Sequence, residues 1–142
     1  MTGKTGYYIE ELKAGMTDSL EKTIGEAEIK AFARLTGDFN PVHLDKAYAA
    51  RTVFGRPIAH GMLVAGLISA VLGTKMPGAG AIYVSQSLRF RAPVFAGDTV
   101  LARVEVMDVN IRRRRVKLTC SCLVAEKTVV NGEAVLIAPS RG

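Results

Sequence analysis

From residue 60 to 73 the chain reads HGMLVAGLISAVLG, and after His60 the only polar side chain in that run is Ser69. A helix that is apolar around nearly its whole circumference is buried around it, so the segment predicts a central helix wrapped by the rest of the chain. Its longest apolar stretch, Met62 to Leu72, is about half the ~20 residues that a bilayer crossing needs, which makes it a core element and not a span. Ala65, Gly66, Ser69 and Ala70 allow other backbone to come close, and Gly73 stands where the helix should stop. In a chain of 142 residues one hydrophobic core is all the length supports. The expectation is a single domain over residues 1–142.

The wrapper is legible from residue 81 onward, where the hydrophobic period changes to two. Leu88 and Phe90 alternate with Arg89 and Arg91, and Val104 and Val106 with Arg103 and Glu105. Val116, Leu118, Cys120, Cys122 and Val124 alternate with Lys117, Thr119 and Ser121. Turn signals at Pro93, Gly97-Asp98, Asp108 to Asn110 and Asn131-Gly132 divide this region into four strands, and SLEKTI, residues 19–24, adds a fifth. Strands that follow one another without intervening helices form an antiparallel sheet. The predicted class is therefore α+β, a curved antiparallel sheet of about five strands around one apolar helix.

The first third is helical. In EAEIKAFARLTGD, residues 26–38, Ile29, Phe32, Ala33 and Leu35 fall on one stripe, with Thr23 and Glu26 at capping-box spacing and Gly37 at a left-handed stop. Asp38 then begins the segment that leaves the helix. Pro41 disfavours helix at Asn40, and Asp45 is placed to cap a short helix in KAYAAR. Residues 38–43 are left as a tight turn holding an aspartate and one of the chain's two histidines.

That turn carries the candidate chemistry. A carboxylate and an imidazole a few ångströms apart hold one water between them and exchange protons with it near neutral pH, so Asp38 and His43 suit the addition or removal of water. Asn40 can bond the local backbone and Pro41 sets one torsion. The bland alternative is that Asp38 and Asn40 only stabilise the turn. Gly61 opens the central helix, where free N–H groups and the positive end of the helix dipole favour a carbonyl oxygen gaining charge. A glycine that merely lets the loop enter the helix fits equally well, and His60 either lines the site or bonds its own loop, the structural role being favoured. Asp38, His43, Asp45 and His60 are all metal-ligand types, but no zinc-like spacing joins them, and no metal is expected.

The remaining features choose less. A net charge of +6 and a pI near 9.6 suit nucleic acid or a small substrate bearing phosphates. The run RRRR, residues 112–115, could bind phosphate, but it lacks interleaved aromatics and reads more readily as an exposed turn leading into a strand. Cys120 and Cys122 sit two apart on one strand face, a poor spacing for a mutual disulfide, and are expected as buried free thiols. The N-terminus has no basic-then-apolar leader pattern, which points to a cytoplasmic protein.

LTGDFNPVHLD (residues 35–45), FGRPIAHGML (54–63) and IYVSQSLRFRAPVFAGD (82–98) together resemble the (R)-specific enoyl-CoA hydratases, the MaoC-like hydratases of the hot-dog fold. The resemblance extends over roughly residues 18–138 and rests on the Gly-Asp-x-Asn-Pro-x-His signature. It implies that Asp38 and His43 activate water for addition to a trans-2-enoyl-CoA, giving the (R)-3-hydroxyacyl-CoA. It implies that the Gly61 N–H bonds the thioester oxygen, and that Asn40 and Ser69 support the aspartate. It further implies a homodimer, an acyl-CoA thioester as partner, no cofactor, and no dealings with nucleic acid or membrane. A 3-hydroxyacyl-[acyl-carrier-protein] dehydratase and an acyl-CoA thioesterase share the scaffold. A non-catalytic module binding an acyl thioester or nucleic acid is the alternative from another class.

Overall fold

The computed structural model describes residues 6–142. Its strands are β1 (Thr17–Ile24), β2 (Ile82–Gln86), β3 (Arg89–Phe90), β4 (Asp98–Asn110), β5 (Arg115–Val124) and β6 (Lys127–Ile137). Its helices are α1 (Glu26–Thr36), α2 (Pro41–Leu44), α3 (Lys46–Ala50) and α4 (Gly61–Thr74). The strands form one antiparallel sheet in the order β1-β4-β5-β6-β2, with β3 also paired to β6. This is the expected α+β arrangement with six strands in place of about five. No helix among the described residues is long and apolar enough to cross a membrane.

The period-two residues point where their alternation directs them. Val100, Ala102, Val104 and Val106 of β4 and Val116, Leu118, Cys120 and Cys122 of β5 are all buried, and they meet Val64, Ile68, Val71 and Leu72 of α4 in one cluster. Burying an aliphatic side chain of this size contributes about 1.5–3 kcal/mol, so the helix is held chiefly by the sheet's inner face. The Cys122 thiol lies 3.7 Å from the Val64 carbonyl on that helix. At the helix's far end, Lys75 reaches the Ser19 carbonyl of β1 at 2.7 Å. Burial pushes the thiols of Cys120 and Cys122 up to about 11 and about 12, and both cysteines are free, as expected.

Several local details differ from the expectation. The turn between β5 and β6 is at Ala125 and Glu126, both with positive φ, while Asn131-Gly132 lies inside β6. Gly132 is there because the Ser87 backbone presses against it, leaving no room for a Cβ. Asp108 to Asn110 end β4, and the turn that follows, with Arg114 at φ 56, places the arginine run at an exposed hairpin tip. Thr23 is paired in β1, its hydroxyl 2.8 Å from that of Thr99. The reciprocal bond at the start of α1 instead joins the Gly25 N–H to the Glu28 carboxylate at 2.7 Å. Leu35 is 86% exposed, because only Ile29, Phe32 and Ala33 of its proposed stripe turn inward.

The largest correction concerns α4. It runs through Gly73 to Thr74, and it is not buried all round: Met62, Gly66, Ser69 and Gly73 form an exposed stripe at helical spacing. One sheet of six strands wraps one side of a helix and leaves the other open.

Candidate active site

Three helix ends converge beside β3 and the segment before β4. Gly37 ends α1 in the left-handed conformation, at φ 83, as its position predicts. The chain then turns back through Asp38, whose N–H bonds the Thr36 hydroxyl at 3.2 Å. Asn40 caps α2, its side-chain oxygen accepting from the Val42 N–H at 3.1 Å, and Pro41 takes the first helical position. A proline there loses no helical hydrogen bond and enters with its φ already suitable. The predicted turn is thus a single helical turn that carries His43. Asp45 caps α3 through the Tyr48 N–H at 3.1 Å, as expected.

The segment leading into α4 is anchored on both sides. The Ile58 N–H bonds the Val42 carbonyl at 3.2 Å, and the Ala59 N–H bonds that of Val94 at 2.7 Å. This fixes His60 as the residue capping α4 and Gly61 as its first residue. His43 Nδ1 lies 2.7 Å from the Ile58 carbonyl. Because a carbonyl can only accept, Nδ1 carries the proton, and Nε2 is left with its lone pair.

Asp38, His43 and Gly61 all line one cavity of about 480 Å³, whose apolar walls include Phe90, Val94 and Val130. One carboxylate or ring-nitrogen atom from each of Asp38, His43 and His60 lies within 4.8 Å of the others. The Asp38 carboxylate accepts from the Asn40 N–H at 3.2 Å. Asn40 therefore supports the aspartate through its main chain while its side chain is spent on α2. Ser69 is exposed on the open stripe of α4 and is not among the residues lining this cavity. Among the described residues no hydrogen bond engages the Gly61 N–H, which stands at the N-terminus of a 14-residue helix. A Cβ on Gly61 would lie 2.7 Å from the Phe90 ring, so glycine is required here for space.

Burial lowers the His43 pKa below the ordinary 6.5, opposed by the Ile58 hydrogen bond and by Asp38 and aided by the facing His60. The result is a neutral imidazole with a bare Nε2 beside a carboxylate. That pair can hold a water and take its proton, and the free N–H of Gly61 can receive an oxygen on which charge grows.

Asp38, His43 and His60 also form the one cluster of metal-ligand type among the described residues. The two imidazoles stack, with centroids 3.9 Å apart and planes inclined by 30°. Ring-nitrogen lone pairs lie in the ring planes, and planes so stacked meet too far out for both nitrogens to reach one ion at about 2.0–2.1 Å. The cluster suits proton chemistry better than coordination.

Two neighbours stand nearer the site than expected. His60, for which a role in its own loop was favoured over lining the site, touches both Asp38 and His43. Phe90, expected only as a strand residue, covers Gly61. The signal for His60 was present: a histidine at the mouth of the most apolar segment has few places to go except the interior.

Comparison with known proteins gives a consistent result. The MaoC like domain family matches residues 10–128. An (R)-specific enoyl-CoA hydratase of Rhodospirillum rubrum is 52% identical over 136 residues, covering 96% of this chain and 94% of that protein. A 3-hydroxybutyryl-CoA dehydratase of Methylorubrum extorquens is 51% identical over 134 residues, covering 94% and 85%. Among solved structures, the unliganded R-hydratase PhaJ1 of Pseudomonas aeruginosa superposes with a TM-score of 0.90 at 42% identity, covering 96% of this chain and 88% of that one.

Proposed function

This chain belongs to the MaoC-like domain family, and we infer from that membership and from its site that it is an (R)-specific enoyl-CoA hydratase, a hydro-lyase of the hot-dog fold. The observation that carries the reading is the meeting of Asp38, His43 and the unengaged Gly61 N–H on one largely apolar cavity.

The chemistry follows from those groups. A trans-2-enoyl-CoA binds with its thioester oxygen at the Gly61 N–H and its β-carbon facing a water held by Asp38 and His43. The water oxygen bonds to the β-carbon as one of its protons passes to Nε2 of His43. The π electrons move toward the thioester and place negative charge on its oxygen, where the Gly61 N–H and the helix dipole stabilise it. A donor in that position is worth ~2.7–4 kcal/mol of barrier. Protonation of the α-carbon by the water-derived proton completes the addition and restores both side chains. The reverse sequence eliminates water. Attack from one face of the held alkene yields the (R)-3-hydroxyacyl-CoA.

The functional unit is a homodimer of this single domain, and two exposed features support that reading. The edge strand β2 presents Ile82 and Val84, 60% and 44% exposed, and carries no charged residue. The opposite edge, β1, carries Asp18, Glu21 and Lys22, the kind of charges that discourage further pairing. The open stripe of α4 adds Met62, Gly66, Ser69 and Gly73 to the surface that a second copy would cover.

The test is direct. Purified protein should abolish the conjugated absorbance of crotonyl-CoA without added cofactor, and the product should be the (R) enantiomer. Loss of absorbance only with carrier-protein thioesters would make the protein a carrier-protein dehydratase. Release of free thiol would make it a thioesterase. Inertness toward short and medium enoyl-CoAs would defeat the hydratase reading.

A further inference from the structure

His60 is the sole polar side chain among the buried described residues, at 2% exposure. Its ring lies between Phe32 of α1, with centroids 4.7 Å apart, and His43 of α2, at 3.9 Å. Its Nε2 lies 3.0 Å from the backbone carbonyl of Asp38. That carbonyl can only accept, so Nε2 is the protonated nitrogen. Nδ1 has no hydrogen-bond partner among the described residues. The His60 backbone is the cap of α4, and its carbonyl accepts from the N–H groups of Leu63 and Val64 at 3.1 and 3.2 Å.

One residue thus touches or adjoins every group the reaction uses. Its ring face orients His43, its Nε2–H holds the main chain at Asp38, and its own peptide leads into the Gly61 N–H. Burying a polar ring is unfavourable unless its hydrogen-bonding groups are satisfied. A phenylalanine would fill the space between Phe32 and His43 without leaving an unpaired nitrogen. The histidine is therefore poorly explained by packing alone and well explained by the bond to Asp38.

We propose that His60 is a positioning residue of this site, setting the mutual placement of Asp38, His43 and the Gly61 N–H. The proposal rests on the hydratase reading, and its test separates the two. Three variants remove different contacts: His60→Phe keeps a ring against His43 and loses the Asp38 bond, His60→Gln keeps a donor and loses the ring, and His60→Ala loses both. Misplacement of reacting groups by about 1 Å costs on the order of 100-fold in rate. His60→Ala should therefore lower kcat on crotonyl-CoA by about that factor with KM little changed, and the Phe and Gln variants should each recover part of the loss.

A second readout needs no substrate. The chain has two histidines, so each variant leaves His43 as its only imidazole, and NMR follows its titration directly. In His60→Ala the midpoint should rise toward the ordinary value, since both the packing that desolvates His43 and the second imidazole are gone, while Asp38, Glu26, Lys30, Lys46 and Arg56 around His43 remain. If His60→Ala fails to fold, the bulkier Phe and Gln variants carry the test through their kcat losses. Folded variants that keep wild-type kcat and an unmoved His43 titration, losing only thermal stability, overturn the proposal. A wild-type protein with no hydratase activity defeats the reaction instead, and the titration still reports on the placement.

Discussion

The Nδ1 of His43 and the carbonyl oxygen of Ile58 lie 2.7 Å apart, and this single hydrogen bond decides which imidazole nitrogen is free to act. With Nδ1 committed as donor, Nε2 is the acceptor that can take a proton from water. The Ile58 carbonyl is itself held in place, because its residue's N–H bonds Val42 one position before the histidine. His43 and its orienting group form one closed local unit.

The first expectation concerns the pair itself. Asp38→Asn and His43→Ala should each lower hydratase turnover by at least ~100-fold, the scale of general acid–base groups, while circular dichroism remains that of the wild type. Retention of more than a tenth of the activity in either variant would remove that residue from the mechanism.

The lowered His43 pKa makes a prediction in pH. The base stays neutral somewhat below pH 6.5, so the acid limb of kcat/KM should fall below that value. Stability has the same sign. The unfolded chain binds a proton on this histidine near 6.5 while the folded chain resists it, so stability is full above about pH 6.5 and declines as pH falls from there toward the folded pKa. Denaturant titrations of wild type and His43→Gln should converge in their pH dependence only above 6.5, and parallel curves throughout would contradict the burial argument.

Gly61 and Phe90 should be energetically coupled. A Cβ on Gly61 meets Cδ1 and Cε1 of Phe90 at 2.7 Å, and overpacking of this kind costs about 1–3 kcal/mol. Gly61→Ala should lower the Tm, and adding Phe90→Ala should return part of the loss. A double-mutant cycle measures this coupling, and strictly additive losses would show that the ring moves aside freely.

The open edge is tested by charge. Val84→Lys places a cation on β2, where a second sheet would pair, and should shift the protein from dimer to monomer in sedimentation experiments. A change of charge on the opposite edge, Lys22→Glu in β1, should leave the oligomer intact. A wild-type monomer at all concentrations would end the dimer reading.

Much of this was legible along the chain because it depends on near neighbours. Gly37 ends α1, Asp45 caps α3, and the alternation of β4 and β5 places Val104 and Leu118 inside, each from steric or hydrophobic rules acting over a few residues. Reading failed where a distant partner intervened. Thr23 does not cap α1, because β4 pairs with it inside the strand expected over residues 19–24. Gly132 sits mid-strand because Ser87 crosses it. Leu35 stays outside because none of the described residues covers its side of α1.

The site divides in the same way. The signature segment determined by itself that Asp38 and His43 share one short turn and that Gly61 begins a helix, since backbone preferences of proline, asparagine and glycine are local. Only the tertiary structure decided that residues 38, 43 and 61 face one cavity, that Ile58 selects which His43 nitrogen stays free, and that His60 joins them. Those relations link segments some 15 to 22 residues apart, and no local propensity acts across that distance; packing around the core does.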